Sequence, residues 1–472
     1  MKDQQFDVVI VGGGFSGTMV AVHVLRNTSA SLSVAIIDRG ALPGRGRAYS
    51  SPHRFHLLNV PAGEMSAWPD APDDFLCWAR KNYDASVQSR SFPPRSVYGD
   101  YIASLLARTV AECAHDRFQW IQDEALSLHR RKGKLAVQVK IGLEVSTRAV
   151  VVATGNFPPA NPGMPELKAS ASLYSQVPWA ADALETLPAS GSVLLIGSGL
   201  TSVDLIMALK SKGFRGVIHV LSRQGLFPRP RRHVREDETW PSFWNETSPR
   251  TARGLLRLIR NQVQAASEKG IDWRCVFDSL RPVAQNIWRS MPLEEQRRFL
   301  RHARAYWDVH RHRVAPEIGD VLADMQTEGQ VRLHTGTITG YSEDRSRAGI
   351  RYWDRKSRTE KILYANRVIN CTGSESDCRR IDESFIVSLL VQGFARPDRV
   401  FLGLDVDEHG ALLDSEGEAS HPLYAIGPTR KGCLWETTTV PEIRVQAASL
   451  AQILTQTLAH SSDQPGGVLK TA

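Results

Sequence analysis

The chain carries one short pattern twice. Phe6-Asp-Val-Val-Ile-Val11 runs into Gly12-Gly13-Gly14-Phe15-Ser16-Gly17, and Val193-Leu-Leu-Ile196 runs into Gly197-Ser198-Gly199-Leu200-Thr201-Ser202. In both, four consecutive apolar residues read as a parallel strand buried on both faces, and the glycine cluster reads as the turn into a helix. The first glycine permits the tight turn, and the second lets backbone approach a pyrophosphate. The third small residue, Gly17 or Ser202, lets the helix pack close to its strand.

Each fingerprint has the sequel that a dinucleotide site needs. Val34-Ala-Ile-Ile-Asp38 ends on an acid at the spacing after Gly17 that suits ribose hydroxyls, with Arg39 beside it. Val217-Ile-His-Val-Leu-Ser222-Arg223 sets a hydroxyl and a cation at the matching place after Ser202, suited to a 2′-phosphate. Two different nucleotides follow, most simply FAD at the first site and NADPH at the second. Both modules then alternate short β-like runs with charged turns, over 118–148 and 331–365. They close on strands ending in Thr154-Gly155 and Thr372-Gly373, where backbone passes close to a bound dinucleotide.

The predicted fold is α/β, with two Rossmann-like dinucleotide-binding domains and a helical insertion in the second. Residues 1–160 form the first part of the FAD domain, and 185–370 the NADPH domain with its insertion at 241–330. Residues 371–472 return to the FAD domain. Leu423-Tyr-Ala-Ile-Gly427 reads as its last strand and Val440-Pro-Glu as the start of its last helix, with proline in the first turn.

Composition removes several classes. Six cysteines in 472 residues show no C-x-x-C spacing and no histidine at metal-ligand spacing, which weighs against a flavin disulfide reductase and against a metal centre. The charge of +8 concentrates in Arg229-Pro-Arg231-Arg232-His233-Val-Arg235. No aromatic-interleaved basic array or nucleic-acid module accompanies it, so a cofactor phosphate or an anionic substrate is the expected partner. No apolar run is long enough to span a bilayer, and the polar start lacks a signal-peptide core, so no membrane partner and a cytoplasmic location are expected.

Further stretches carry a family resemblance: Gly44-Arg-Gly-Arg-Ala-Tyr-Ser50, His56-Leu-Leu-Asn-Val-Pro61, Met65-Ser-Ala-Trp-Pro-Asp70, Pro94-Arg95-Ser-Val-Tyr98-Gly-Asp-Tyr101, Tyr306-Trp-Asp-Val-His310-Arg-His312-Arg313 and Leu434-Trp-Glu-Thr-Thr-Thr-Val-Pro-Glu442. Through them, over nearly its whole length, the chain resembles a bacterial family of FAD/NAD(P)-binding proteins, related in fold to class B flavin monooxygenases and amino-acid N-hydroxylases. The resemblance implies that the Gly44–Ser50 loop, with its glycines, Arg45, Arg47, Ala48 and Tyr49, lies along the FAD pyrophosphate. It also implies that His56, Asn59 and Ser66 sit near the isoalloxazine, as candidate catalytic groups. Tyr98 and Tyr101, three apart, read as packing on one helix face.

The expected cofactor contacts are therefore Gly12, Gly14, Phe15, Ser16, Gly17, Asp38, Arg39, Arg47, Ala48, Tyr49, Asn59, Thr154, Gly155 and Gly427 for FAD. For NADPH they are Gly197, Gly199, Leu200, Thr201, Ser202, Ser222, Arg223, Thr372 and Gly373. Arg304, Trp307, His310 and Arg313 are candidate substrate contacts on an insertion expected to cap the flavin. With no nucleophile elbow or phosphate-transfer loop, the cofactors must carry the reaction. The reading is an NADPH-oxidising monooxygenase that forms a C4a-hydroperoxyflavin from dioxygen and oxygenates a small polar metabolite, such as an amine. A reductase serving an external acceptor and a non-catalytic nucleotide-binding regulator are the alternatives.

Overall fold

Both fingerprints form strand–turn–helix units in the computed structural model, which describes residues 4–27, 31–51, 53–131, 134–162, 173–185, 187–232 and 238–460. Strand β1 (Gln4–Val11) leads into helix α1 (Phe15–Arg26) and strand β2 (Val34–Asp38). A short turn α2 (Gly46–Tyr49), helices α3 (Asp74–Asn82) and α4 (Arg95–Glu112), and strands β3 (Phe118–Gln122), β4 (Ala125–Arg131), β5 (Lys134–Val139) and β6 (Glu144–Val152) follow. The second fingerprint supplies β8 (Ser192–Ile196), α5 (Leu200–Ser211) and β9 (Val217–Ser222), preceded by the short strand β7 (Tyr174–Ser175).

The insertion is helical: α6 (Ala252–Glu268), α7 (Trp273–Ser279), α8 (Ala284–Ser290), α9 (Leu293–His302) and α10 (Arg304–Arg311). Helix α11 (Pro316–Thr327) then leads to β10 (Val331–Glu343), β11 (Ala348–Asp354), β12 (Thr359–Ala365) and β13 (Arg367–Asn370). The chain ends in α12 (Ser384–Val391), β14 (Ala411–Leu413), β15 (Ala419–Ala425), α13 (Lys431–Leu434) and α14 (Val440–His460).

Two units result. One comprises Met1–Pro52, Pro61–Phe157 and Ser376–Ala472, the other His53–Val60 and Pro158–Glu375. In the first unit the sheet order is β14-β15-β6-β1-β2-β3, with the β4–β5 hairpin joined to β6. Strand β1 lies between β2 and β6 in parallel register, Val8 opposite Val34 and Ala149. That position explains the unbroken apolar run, because Val8, Val9 and Ile10 are wholly buried, each such side chain stabilising by about 1.5–3 kcal/mol. Helix α14 packs beside α1. Phe385, Ile386 and Leu389 of α12 join the core with Leu128, Val137 and Val150.

The second sheet runs β12-β11-β10-β9-β8-β13-β7. Strand β10 serves two partners: its start pairs parallel with β9 (Val331 opposite Ile218) and its end antiparallel with β11 (Gly336 opposite Asp354). Val314 and, on α11, Leu322 and Met325 share a core with Val203, Ile206 and Val220. Helix α11 is thus the crossover into β10 rather than part of the insertion, which the sequence reading extends to residue 330. Each unit repeats the order β3-β2-β1-β6-β15 or β10-β9-β8-β13-β7, which opens a crevice at the carboxyl ends of the central strands.

Candidate functional site

In the first crevice the fingerprint has little freedom. Gly12 adopts φ +109°, and a Cβ there would stand 2.3 Å from the Ala153 carbonyl oxygen. A Cβ on Gly17 would stand 2.0 Å from the Gly12 carbonyl oxygen, so helix α1 meets the turn at backbone distance. Gly13 adjoins the Trp120 ring, where a Cβ would be 2.2 Å from Cη2, a contact that spacing rules did not foresee. Gly44 (φ +84°) donates its N–H to the Gly13 carbonyl oxygen at 3.1 Å, and a Cβ on Gly46 (φ +54°) would meet Gly14 Cα at 2.8 Å. The Gly44–Ser50 segment therefore lies directly on the fingerprint. Arg47 and Ala48 are exposed there, while Tyr49 packs 4.7 Å from Tyr98 and burial pushes its phenol up to about 12.

Asp38 closes the base of this crevice. Its two carboxylate oxygens accept from Gly13 N and Gly40 N, both at 2.6 Å. A carboxylate offers about four acceptor positions, so two remain for ribose hydroxyls. Arg39 is engaged elsewhere: it ion-pairs with Glu383 at 2.9 Å and with Glu124 at 3.9 Å, and is not a free cofactor contact. Phe15 and Ser16 are buried at the start of α1, and Phe15 lies 6.0 Å from Tyr98.

The return segment completes this side. Gly427 (φ +74°) donates to Gln446 Oε1 at 3.2 Å and accepts from Thr437 Oγ1 at 3.0 Å, and a Cβ on it would stand 2.6 Å from Ser16 Oγ. At the start of α14 the Thr439 hydroxyl donates to the Glu442 carboxylate, two residues in the order T-x-x-E. Ahead of it Trp435 holds φ +61°, ψ −68°, a strained backbone for a residue with a side chain. Thr437, Gln446 and Trp435 were missed from sequence because no spacing rule joins residue 16 to residue 427.

The buried oxygens of this unit with no hydrogen-bond partner among the described residues include Thr154 Oγ1 and Tyr98 Oη. A buried hydroxyl left unpaired costs about 1–3 kcal/mol, so a ligand that bonds Thr154 is stabilising there. Together with Gly155 at φ +71°, open space beside it, and the Asp38 acceptors, the residues fit an ADP-containing flavin.

The second crevice repeats the frame. Gly197 takes φ +108°, and a Cβ would stand 2.4 Å from the Cys371 carbonyl oxygen. A Cβ on Gly199 would meet nothing within 4 Å, and the same is true of Gly373. Leu200 and Thr201 begin α5, with Ser202 wholly buried and its hydroxyl bonded to the Gly197 carbonyl oxygen. Ser222 and Thr372 need correction. Ser222 Oγ receives Ser198 Oγ at 2.8 Å and Gly225 N at 3.0 Å, so it knits its own loop. Thr372 Oγ1 donates to Asn370 Oδ1 at 2.7 Å. Arg223 is exposed and pairs with no carboxylate among the described residues. His233 and Arg235 lie outside the described residues.

Of the three candidate catalytic groups, only Asn59 keeps an available side chain. His56 is buried, its Nε2 3.1 Å from the Asp204 carbonyl oxygen and its ring edge-on to Trp179. Ser66 donates to the Ala71 carbonyl oxygen at 2.6 Å and accepts from Trp68 N at 3.1 Å, closing a turn. Asn59 accepts Arg231 Nε on its main-chain oxygen at 2.8 Å, and no hydrogen bond engages its amide among the described residues.

The proposed substrate run serves packing within the insertion. Arg304 pairs with Asp308 one turn on, at 3.4 Å. His310 stacks on Phe277 (5.1 Å, 17°) and meets Trp273 edge-on, Trp307 lies 6.0 Å from Phe277, and burial holds the imidazole below its usual range. Arg313 is 2% exposed and paired with Asp278. Among the described residues no cluster of three or more His, Cys, Asp or Glu side chains could hold a metal, and no helix is long and apolar enough to cross a membrane.

These features define a two-domain FAD- and NADP-binding fold, and comparison with known proteins agrees. Residues 9–157 match the family model described as FAD-NAD(P)-binding. The ornithine N-hydroxylase of Kutzneria sp. 744, solved with reduced FAD, NADP+ and L-ornithine, aligns at 14% identity over 96% of this chain and 99% of its own, with a TM-score of 0.64. The cadaverine monooxygenase of Erwinia amylovora aligns at 12% identity over 96% and 95%, TM-score 0.66. A bacillithiol disulfide reductase of Bacillus cereus aligns at 13% over 96% and 100%, TM-score 0.55. Identities this low establish likeness of fold. No curated protein matches by sequence.

Proposed function

We propose that the protein is an NADPH-dependent FAD monooxygenase that hydroxylates the amine of a small polar metabolite. The observation that carries the reading is the pair of cradles, one closed over its fingerprint by Gly44–Ser50 and one open at Gly199, as a resident and an exchanging cofactor would require. Overall the reaction balances as amine plus O2 plus NADPH plus H+ giving hydroxylamine, water and NADP+. Bound FAD supplies hydride acceptance and dioxygen activation; the protein supplies placement. Gly12 makes the tight turn, Gly14 lets backbone approach the pyrophosphate and Gly17 seats helix α1 against the turn; Asp38 receives ribose hydroxyls, Arg223 meets the 2′-phosphate, and the amide of Asn59 orients the reacting groups.

Dithiol chemistry finds no support in the cysteines. All six are free thiols, and burial pushes Cys371, Cys378 and Cys433 up to about 12, the reverse of an activated thiolate. The likenesses to the ornithine N-hydroxylase and the cadaverine monooxygenase, at 0.64 and 0.66, also exceed the disulfide reductase's 0.55.

The test is reduction by NADPH without oxygen, followed by 18O2 in the presence of a panel of diamines and amino acids. Mass spectrometry should find one 18O atom in a hydroxylamine product. Rapid reoxidation only by an added quinone or disulfide, with no labelled product, would replace this reading with that of a reductase.

A further inference from the structure

The charged turn between β11 and β12 has no part in the assignments above, yet the fold carries it to the second cradle. Arg355 donates its main-chain N–H to the Thr335 carbonyl oxygen at 3.0 Å, and Thr335 lies opposite Ser222 in the β9–β10 ladder. Its guanidinium Nη1 donates to Gln224 Oε1 at 2.6 Å, beside Arg223 in the chain. Gly225 presses on the same point: a Cβ there would stand 1.9 Å from Thr335 Oγ1. The end of β9 and the β11–β12 turn are thus one locus, though Arg223 and Arg355 lie far apart in the sequence.

Charge there is unbalanced. Asp354 is occupied by Ser357 N at 2.7 Å, Ser357 Oγ at 2.8 Å and Lys361 Nζ at 3.3 Å. Glu360 accepts Thr339 Oγ1 at 2.7 Å. Arg223, Arg355, Lys356 and Arg358 pair with no carboxylate among the described residues. Ser222, the hydroxyl expected to meet a 2′-phosphate, is engaged by Ser198 and Gly225. A phosphate dianion suits two guanidinium forks better than one, since each supplies parallel N–H donors.

We propose that Arg355, positioned by Gln224, is the second arginine of the 2′-phosphate subsite, and that Arg223 and Arg355 together select NADPH over NADH. This rests on the reading of the second module as the NADPH site. The test measures binding of adenosine 2′,5′-bisphosphate and of 5′-ADP to the FAD-loaded protein by titration calorimetry. Wild type should prefer the bisphosphate. Arg355→Ala should lose about ten- to hundred-fold for the bisphosphate and nothing for 5′-ADP. Gln224→Ala should lose less than Arg355→Ala, and Arg355→Lys should recover part of the affinity. An Arg355→Ala protein that keeps the full preference while Arg223→Ala loses it overturns the proposal and leaves the NADPH reading intact. Equal loss for both nucleotides also overturns it, assigning Arg355 to loop structure. A wild type that does not distinguish the two nucleotides removes the NADPH reading, and the proposal with it.

Discussion

The two nucleotide modules share a backbone and differ in what covers it. Gly12 and Gly197 take φ +109° and +108°, and each turn abuts the carbonyl of the residue after the closing strand. Beyond that frame the first module is sealed. Trp120 fills the space at Gly13, Gly46 rests on Gly14, and Gly427 rests on Ser16. The second module has Ser198 in place of Gly13 and nothing opposite Gly199. Its two polar anchors, Ser222 and Thr372, are used internally, whereas Thr154 Oγ1 in the first is buried with no partner among the described residues. A ligand that stays needs enclosure and buried partners. One that must leave each turnover needs an open cradle and a rim of charge.

The largest effect should come from breaking the shared frame at one module at a time. Gly12→Ala places a methyl 2.3 Å from a carbonyl oxygen on a backbone that side chains avoid, and should destabilise by at least about 4 kcal/mol with loss of FAD. Gly197→Ala meets a similar clash, 2.4 Å from the Cys371 oxygen, but should leave a yellow protein that binds no NADPH. Absorbance of bound flavin and NADP+ titration read both. If each variant lost both cofactors equally, the modules would not be separable as argued.

Next come the residues at the ends of β2 and β9. Asp38→Ala strips acceptors from two backbone N–H groups held at 2.6 Å, which should cost about 2–4 kcal/mol and most of the flavin. Arg223 is exposed and pairs with no carboxylate among the described residues, so in Arg223→Ala thermal stability should hold while NADPH affinity falls about ten- to hundred-fold and NADH affinity does not change. Melting curves and the NADPH/NADH ratio separate these outcomes. Equal losses for both nucleotides would assign Arg223 to structure.

Those positions also show what the sequence could say. The strand–glycine–helix units and the closing Thr-Gly strands were legible because a tight turn between a buried strand and a helix leaves few residue choices. Helical spacing set the insertion at 241–330, and helices α6 to α10 run from Ala252 to Arg311. What spacing could not supply was partnership. Asp278 claims Arg313, Asp308 claims Arg304, the Asp204 carbonyl claims His56 and the Ala71 carbonyl claims Ser66. A reactive side chain in a list is a candidate only until its neighbours are known. Gln446 and Thr437 beside Gly427 were invisible for the same reason.

The insertion tests that lesson at smaller amplitude. Arg313→Ala deletes a buried guanidinium and leaves a half-exposed Asp278, a loss of about 1–3 kcal/mol. Arg304→Ala breaks an i,i+4 surface pair and should change stability by no more than about 0.5 kcal/mol. Denaturant melts measure both. If Arg313→Ala were as stable as wild type but raised the substrate KM, the run would return to the substrate site.

A pH dependence runs through both modules, with His23 in the first and His219 in the second among the histidines that burial lowers. His23 on α1 lies edge-on to Trp68 at 5.0 Å, and burial lowers it to about 4. His219 on β9 is lowered to about 4, first by burial and then by His334, whose Nε2 lies 3.0 Å from its Nδ1. In both the folded chain holds the neutral ring while the unfolded chain takes a proton near pH 6.5. The folded state therefore binds fewer protons, its stability is complete above about pH 6.5, and it is lost as pH falls towards 4. Melting temperature should drop by a few degrees over that interval. His219→Gln should flatten part of the drop without disturbing bound flavin, since its ring belongs to the open module. His23→Gln should flatten another part and change flavin retention on acidification, since α1 carries the closed cradle. A melting temperature constant from pH 7 to 4.5, or an acid limb unchanged in both variants, would show that neither histidine is held neutral by the fold.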